Sequence, residues 1–121
     1  MQNLFKFDKL NFITAGMPIR TGKGSYPQAF DVLKEMNLDG MELEFVHGVR
    51  MSDDNRIFVK EMAKNFVITA HGPFYINLNS KEEEKIEASV QRIIDTAAVA
   101  AQAGAFSITY HAAFYMGGDK E

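Results

Sequence analysis

Apolar residues along the chain follow two alternating patterns, one with the spacing of strands and one with the spacing of helices. Four short runs rich in apolar and β-branched residues predict strands, and they lie at residues 11–16, 41–46, 66–70 and 105–110. The segments between them place apolar residues three and four positions apart, which predicts three helices. The resulting order, β-α-β-α-β-α-β, is typical of a parallel sheet whose strands are joined by helical crossovers.

Small polar residues mark the start of each predicted helix. Ser25 with Gln28 and Ser52 with two following aspartates have the pattern of N-caps. Residues 80–83 (Ser-Lys-Glu-Glu) match the capping box and predict the start of the third helix, which runs to about Ala103. The predicted apolar face of that helix consists of Ile86, Val90, Ile93, Ile94, Ala97 and Ala101.

The α/β order is compatible with an open doubly wound sheet and with a closed (β/α)₈ barrel. A complete barrel needs about 250 residues, and this chain has 121. A four-stranded piece of a barrel would leave two strand edges and an unfilled interior. We therefore expect one domain over residues 1–121 that is the N-terminal half of a TIM barrel, ending after strand four, with residues 1–10 as a lead-in.

The composition of the chain excludes several classes of protein and of site. The chain is 46% hydrophobic and 24% charged, as in globular proteins, and its net charge of −3 gives no general attraction to nucleic acid. The absence of cysteine excludes disulfides and thiolate metal sites. No apolar run approaches the roughly 20 residues of a membrane span, and no signal peptide is recognisable. The expectation is a soluble cytoplasmic protein without a membrane partner.

Two histidines follow the last two predicted strands. His71 comes directly after the run at 66–70, and His111 directly after the run at 105–110. The carboxyl ends of parallel strands meet at one edge of the sheet, and adjacent strands lie about 4.8 Å apart. The pair is therefore a candidate divalent metal site, since imidazole is a common ligand of zinc and manganese. The alternative is two histidines that form hydrogen bonds at loop starts.

Alternation within the second strand places Glu42 and Glu44 on one face. In the interior of a barrel such carboxylates need a metal, an arginine or a substrate hydroxyl as partner. Glu44 is the candidate pocket carboxylate because it lies nearer the carboxyl end of the strand. The alternative is a solvated strand face.

The loop after His71 contains candidate substrate contacts. Phe74 and Tyr75 are aromatic side chains beside the expected metal site, where they could stack on bases or wedge between them. Asn77 is a further candidate for a DNA or substrate contact. The alternatives are packing of the aromatic rings on the barrel rim, and an asparagine that holds the loop through bonds to the backbone.

Four segments together resemble the archaeal-type branch of the endonuclease IV family, within the xylose isomerase-like TIM barrels. They are residues 41–46 (Met-Glu-Leu-Glu-Phe-Val), 71–80 (His-Gly-Pro-Phe-Tyr-Ile-Asn-Leu-Asn-Ser), 83–89 (Glu-Glu-Lys-Ile-Glu-Ala-Ser) and 110–115 (Tyr-His-Ala-Ala-Phe-Tyr). The resemblance covers essentially the whole chain but only the first half of the family's barrel.

The resemblance implies a metal-dependent enzyme that cleaves DNA at abasic sites with a cluster of three metal ions, mostly zinc. His71 and His111 match two of the family's metal-binding histidines, and Phe74 matches an aromatic residue that helps to occupy distorted DNA. The remaining ligands belong to later strands of the barrel. The isolated 121 residues are therefore expected to have little or no activity, and to need the C-terminal half-barrel or another copy of the chain as partner.

One departure from the family pattern keeps other functions open. The family often has Pro-Gly after the histidine of strand four, where this chain has Ala112 and Ala113. That difference favours a metal-dependent sugar isomerase or epimerase on the same barrel, with a small sugar as substrate. A third interpretation is a non-catalytic half-barrel that assembles with a partner.

Overall fold

The computed structural model describes residues 9–117 as a parallel sheet with helices on one face; residues 1–8 of the predicted lead-in and the end at 118–121 lie outside the described residues. The sheet has the order β1-β2-β3-β4, with all three pairings parallel. Its strands are β1 (Ile13–Ala15), β2 (Gly40–Glu44), β3 (Val67–His71) and β4 (Ile108–Thr109). The helices are α1 (Tyr26–Glu35), α2 (Asp53–Met62) and α3 (Glu83–Gln102), and a 3₁₀ turn covers Ile19–Thr21.

The fourth strand is much shorter than the sequence pattern predicts. β4 pairs with β3 through two register pairs only, Ala70 with Ile108 and His71 with Thr109. His71 is itself the last residue of β3, whereas His111 lies two residues beyond the end of β4. The backbone at His111 is therefore held by loop contacts rather than by the sheet ladder.

Two of the three predicted helix starts are confirmed. The Ser25 N–H donates to Gln28 Oε1 at 2.8 Å, and Ser52 Oγ accepts from the Asn55 N–H at 3.3 Å. The predicted capping box at 80–83 is wrong, because α3 begins three residues after Ser80 and its N-cap is Glu82. Ser80 Oγ instead accepts from the Glu82 N–H at 3.2 Å, which shapes the end of the preceding loop.

The core lies between one face of the sheet and the helices. Its buried side chains come from β2, β3 and all three helices, and they include Met41, Leu43, Ile68, Ala70, Phe30, Leu33, Val59, Ala63, Ala100 and Ala103. The Phe30 ring meets the edges of Phe58 and Phe66 at centroid distances of 5.9 and 5.1 Å. Burial of each large apolar side chain contributes about 1.5–3 kcal/mol, so this layer supplies most of the stabilisation.

The buried face of α3 differs from the predicted one. Ser89, Thr96 and Ala100 are buried, whereas Val90 and Ile94 are 43% and 53% exposed. The hydroxyls of Ser89 and Thr96 donate to the carbonyls of Lys85 and Arg92 at 2.7 and 2.6 Å, so both side chains are satisfied within the helix. The prediction was wrong for Val90, Ile94, Ala97 and Ala101, which are exposed, because hydrophobicity alone does not show which face meets the sheet.

Candidate metal and substrate site

The face of the sheet that lies away from the helices carries the polar residues. In the parallel register Glu42 pairs with Thr69, Glu44 with His71, and His71 with Thr109. Register partners in adjacent strands project to the same side, so these side chains share one face. In a closed barrel that face is the interior, and its upper edge is where α/β barrels place their active sites.

The two histidines singled out in the sequence come together at this edge. The ring centroids of His71 and His111 lie 5.3 Å apart, with the planes tilted by 49°. His71 is half-buried at the end of β3, and His111 is exposed in the following loop. The short distance places both imidazoles within reach of one ion; metal binding itself stays a prediction.

A hydrogen bond fixes which nitrogen of His71 is available. Nδ1 lies 2.8 Å from the carbonyl oxygen of Gly72, which can only accept, so Nδ1 carries the proton in this contact. Nε2 is then the nitrogen with a free lone pair. Metal-binding histidines commonly have this arrangement, in which the second nitrogen donates to a carbonyl and holds the ring orientation.

The described part of the chain supplies two ligands rather than a complete set. Within residues 9–117 no group of three or more His, Asp or Glu side chains is close enough to hold a metal ion. Catalytic zinc sites normally have three protein ligands and structural sites four. The two histidines therefore fit one side of a metal site whose other ligands come from elsewhere.

Glu44 occupies the position next to His71. Partial burial is the main cause that raises the pKa of the Glu44 carboxyl, and a hydrogen bond and repulsion from Glu42 act in the same direction, while His71 opposes them. The residue as a whole remains exposed, so the effect on stability is small. Gly16, at φ +77°, packs against this side chain, since a Cβ there would lie 3.1 Å from Glu44 Cγ. The candidate pocket carboxylate thus lies between Gly16, just after β1, and His71.

The aromatic pair stands at the rim of the same edge. Phe74 is 52% exposed, and its ring meets the edges of Tyr75 at 5.2 Å and His47 at 6.2 Å. The Arg92 guanidinium lies 4.7 Å from the centre of the Tyr75 ring and donates to the Tyr75 carbonyl at 3.2 Å. His47 was not predicted as a site residue, although a histidine just after β2 was a signal of the same kind as His71.

Asn77 forms hydrogen bonds with other residues of the chain. Its Oδ1 accepts from the backbone N–H groups of Asn79 and Phe114 at 3.2 and 3.1 Å. Its own N–H donates to Ser89 Oγ at 2.9 Å. These bonds match the alternative interpretation of Asn77 as a residue that holds the loop, and a substrate contact by Asn77 remains a prediction.

Comparison with known proteins identifies a family and a relative that match this chain. The family described as "Xylose isomerase-like TIM barrel" matches residues 30–121. An uncharacterized protein from Methanocaldococcus jannaschii is 45% identical over 112 residues, which make up 93% of this chain and 40% of that protein. The chain thus spans well under half the length of this curated relative.

A solved structure shares the fold. The endonuclease IV from Thermus thermophilus matches with a TM-score of 0.65 and 17% sequence identity, over 84% of this chain and 40% of that one. At this identity the likeness concerns the fold alone. Four parallel strands with their helices on one face correspond to part of a longer barrel, so the predicted half of a TIM barrel is confirmed.

Proposed function

Since the chain belongs to the xylose isomerase-like TIM barrel family, we propose that it forms half of a metal-dependent, endonuclease IV-like phosphodiesterase that cleaves DNA at abasic sites. The observation that carries the proposal is the histidine pair at the carboxyl edge of the sheet, 5.3 Å apart, with Nε2 of His71 free. The resemblance of residues 71–80 and 110–115 to the endonuclease IV family supports DNA as the substrate class.

His71 and His111 would hold a divalent metal, with zinc as the first candidate and manganese as the second. A bound divalent ion would orient the phosphate and lower the pKa of an attacking water. The chain's own contribution is orientation: the Gly72 carbonyl holds the His71 ring, and Glu44 beside it can accept a hydrogen bond from water or substrate.

The rim supplies the proposed contacts with DNA. Phe74 and Tyr75 present aromatic surface at the edge where the histidines lie, and Asn77 is in the same loop. A base beside the abasic site can stack against such a ring at a gain of about 1–3 kcal/mol, or a ring can enter the gap that the missing base leaves. The chain's net charge of −3 makes this local surface, rather than an overall field, the source of affinity.

The proposed activity needs a second half-barrel. β1 and β4 are the outer strands of the described sheet, and Val90 and Ile94 form an exposed apolar surface on α3. Closing the barrel would cover these surfaces and bring the further metal ligands. Because the chain spans only 40% of the Methanocaldococcus jannaschii relative, we infer that the partner is the C-terminal half of the barrel, with a second copy of this chain as the rival, and that the 121 residues alone have little or no activity.

One observation favours a second candidate function, a metal-dependent sugar isomerase or epimerase. Glu42 and Glu44 lie on the interior face, where carboxylates can bind sugar hydroxyls or transfer protons. The raised pKa of Glu44 suits a group that holds a proton closer to neutrality. Ala112 and Ala113, in place of Pro-Gly, fit this candidate as well.

The test uses the longer polypeptide, meaning this chain joined to the proposed C-terminal half-barrel, supplied with zinc or manganese. An oligonucleotide duplex with one abasic site should be cut at that site, while the matched undamaged duplex stays intact and the 121-residue chain is inactive. Intact abasic DNA together with turnover of a keto sugar would exclude the nuclease and establish the isomerase.

A further inference from the structure

One loop follows His71 and a second loop contains His111, and hydrogen bonds join the two loops. The β3–α3 loop covers residues 72–82 after His71, and the β4 loop covers residues 110–117 around His111. We propose that Asn77 is a positioning residue that sets the distance between His71 and His111 by fastening the β4 loop to α3. This inference rests on the proposed function for its importance, but its structural part is testable without a metal.

The first step is the anchoring of Asn77 to α3. The Asn77 N–H donates to Ser89 Oγ at 2.9 Å, and that hydroxyl donates to the Lys85 carbonyl at 2.7 Å. Ser89 is only 1% exposed, so the bond is shielded from water. A hydroxyl that both donates and accepts in a buried position fixes the residue bound to it. Asn77 lies in a loop, but this bond fixes its backbone relative to α3.

The second step is the connection from Asn77 to the β4 loop. Its Oδ1 accepts the Phe114 N–H at 3.1 Å and, at the same time, the Asn79 N–H at 3.2 Å. Two further bonds run in parallel: the Leu78 N–H donates to the Ala112 carbonyl at 2.9 Å, and Asn79 Nδ2 donates to the Phe114 carbonyl at 2.9 Å. The β4 loop is therefore bound on both sides of Ala113 to the segment centred on Asn77.

The third step is the consequence for His111. Because β4 ends at Thr109, the sheet ladder does not extend to His111, and the hydrogen bonds at Ala112 and Phe114 are the next backbone restraints along the chain. His71, in contrast, is held by β3. The 5.3 Å separation of the two rings therefore depends on where the segment 77–79, which Asn77 anchors to α3, holds the β4 loop. This role explains why an asparagine side chain at the rim is turned toward backbone N–H groups.

The test compares Asn77→Ala with Asn77→Asp and with Asn65→Ala in the 121-residue chain by NMR without metal. Asn77→Asp keeps an oxygen acceptor, and Asn65→Ala makes the same truncation at the opposite end of β3. In Asn77→Ala we expect about tenfold faster exchange of the Phe114 amide proton, because one hydrogen bond is lost. The cross-relaxation signal between the His71 and His111 rings, which is resolvable with three histidines in the chain, should weaken or disappear.

Asn77→Asp should restore both signals, and Asn65→Ala should leave them at the parent value. If Asn77→Ala does not fold, Asn77→Ser serves instead, since its shorter hydroxyl does not reach the Phe114 N–H. Unchanged Phe114 exchange and an unchanged signal between the rings in the folded variant would overturn the inference.

A metal readout separates this inference from the proposed function. In the longer polypeptide, Co²⁺ alone serves as a spectroscopic probe, and Asn77→Ala should weaken its binding about 10- to 100-fold, as loss of a partner outside the ligand set does. Equal Co²⁺ affinity of Asn77→Ala and the parent would overturn the positioning role. If the parent polypeptide itself does not bind Co²⁺, the proposed metal function fails, and the metal-free NMR signals still decide whether Asn77 fixes the two rings.

Discussion

Glu44 and His71 are register partners in the parallel pairing of β2 and β3, so their side chains leave the same face of the sheet at the same level. Burial and Glu42 raise the pKa of the Glu44 carboxyl, whereas a charge on the His71 imidazole would lower that pKa. A proposed ligand and a proposed pocket acid are thus neighbours on adjacent strands. This relationship makes the titration of Glu44 a direct probe of the site.

The first prediction concerns the pH dependence of stability. Because the folded-state pKa of Glu44 is raised above its ordinary value of 4.5, the native state holds this proton more tightly, and stability falls as pH rises from below 4.5 through the raised pKa. Glu44→Gln should remove that part of the fall and leave the chain slightly more stable at pH 7, by less than about 1 kcal/mol because solvent screens the group. Urea unfolding at several pH values measures this change in stability, and Glu87→Gln on the exposed surface of α3 is the control for the loss of one carboxylate.

The second prediction concerns the metal ligands. In the longer polypeptide, His71→Ala and His111→Ala should each weaken zinc binding at least about tenfold, because each removes a ligand. His47→Ala is the matched control, since it changes the third histidine at the same edge of the sheet without removing either ligand. Elemental analysis after dialysis gives the metal content. An unchanged content in the double variant His71→Ala plus His111→Ala would show that these residues are not ligands.

The third prediction concerns the aromatic rim. In the longer polypeptide, Phe74→Ala should weaken binding of abasic duplex DNA by about 1–3 kcal/mol. The variant should change the melting temperature of the protein little, because the Phe74 ring is 52% exposed. Fluorescence anisotropy with a labelled duplex measures the binding. Phe12→Ala is the control, because the Phe12 ring is 61% exposed and precedes β1, at the opposite end of the strands. This variant should bind the abasic duplex as tightly as the parent does. Equal affinity of the Phe74 variant and the parent would exclude stacking on this ring.

The fourth prediction concerns the exposed surface of α3. Val90→Ser and Ile94→Ser should change the unfolding free energy of the 121-residue chain by no more than about 0.5 kcal/mol. In the longer polypeptide each should cost about 1–3 kcal/mol if the second half-barrel buries these side chains. Ile57→Ser, at a 69% exposed position of α2, should have a small effect in both proteins. Equal effects of the α3 variants in the two chains would show that the second half does not cover this surface.

The helices of the described chain use their apolar residues mainly against the sheet. Among the helices in residues 9–117, none combines the length and the apolar character needed to cross a bilayer. The apolar surface left on α3 is a short stripe around Val90 and Ile94. A stripe of this size suits contact with another helix of a barrel.

The sequence by itself determined the order of the elements and the edge of the sheet at which the candidate site residues meet. Period-two and helical spacings predict β-α-β-α-β-α-β, and the N-caps at Ser25 and Ser52 follow from hydrogen bonds between residues three positions apart. The edge at which His71 and His111 meet was predictable as well, because parallel strands joined by helices place all their carboxyl ends together. The N-caps depend on residues close together in sequence. The shared edge of the strand ends follows from the order of the elements, which the local patterns encode.

The tertiary structure alone decided which face of α3 is buried and how the two histidine loops are joined. Ser89 and Thr96 can pack inward because the helix's own carbonyls accept from their hydroxyls, but packing against the sheet decides that this face is buried while the more apolar Val90 and Ile94 face outward. The bond from the Phe114 N–H to Asn77 Oδ1 spans 37 residues. No pattern within a short window encodes such a contact, since it depends on where β3, α3 and β4 bring distant parts of the chain together.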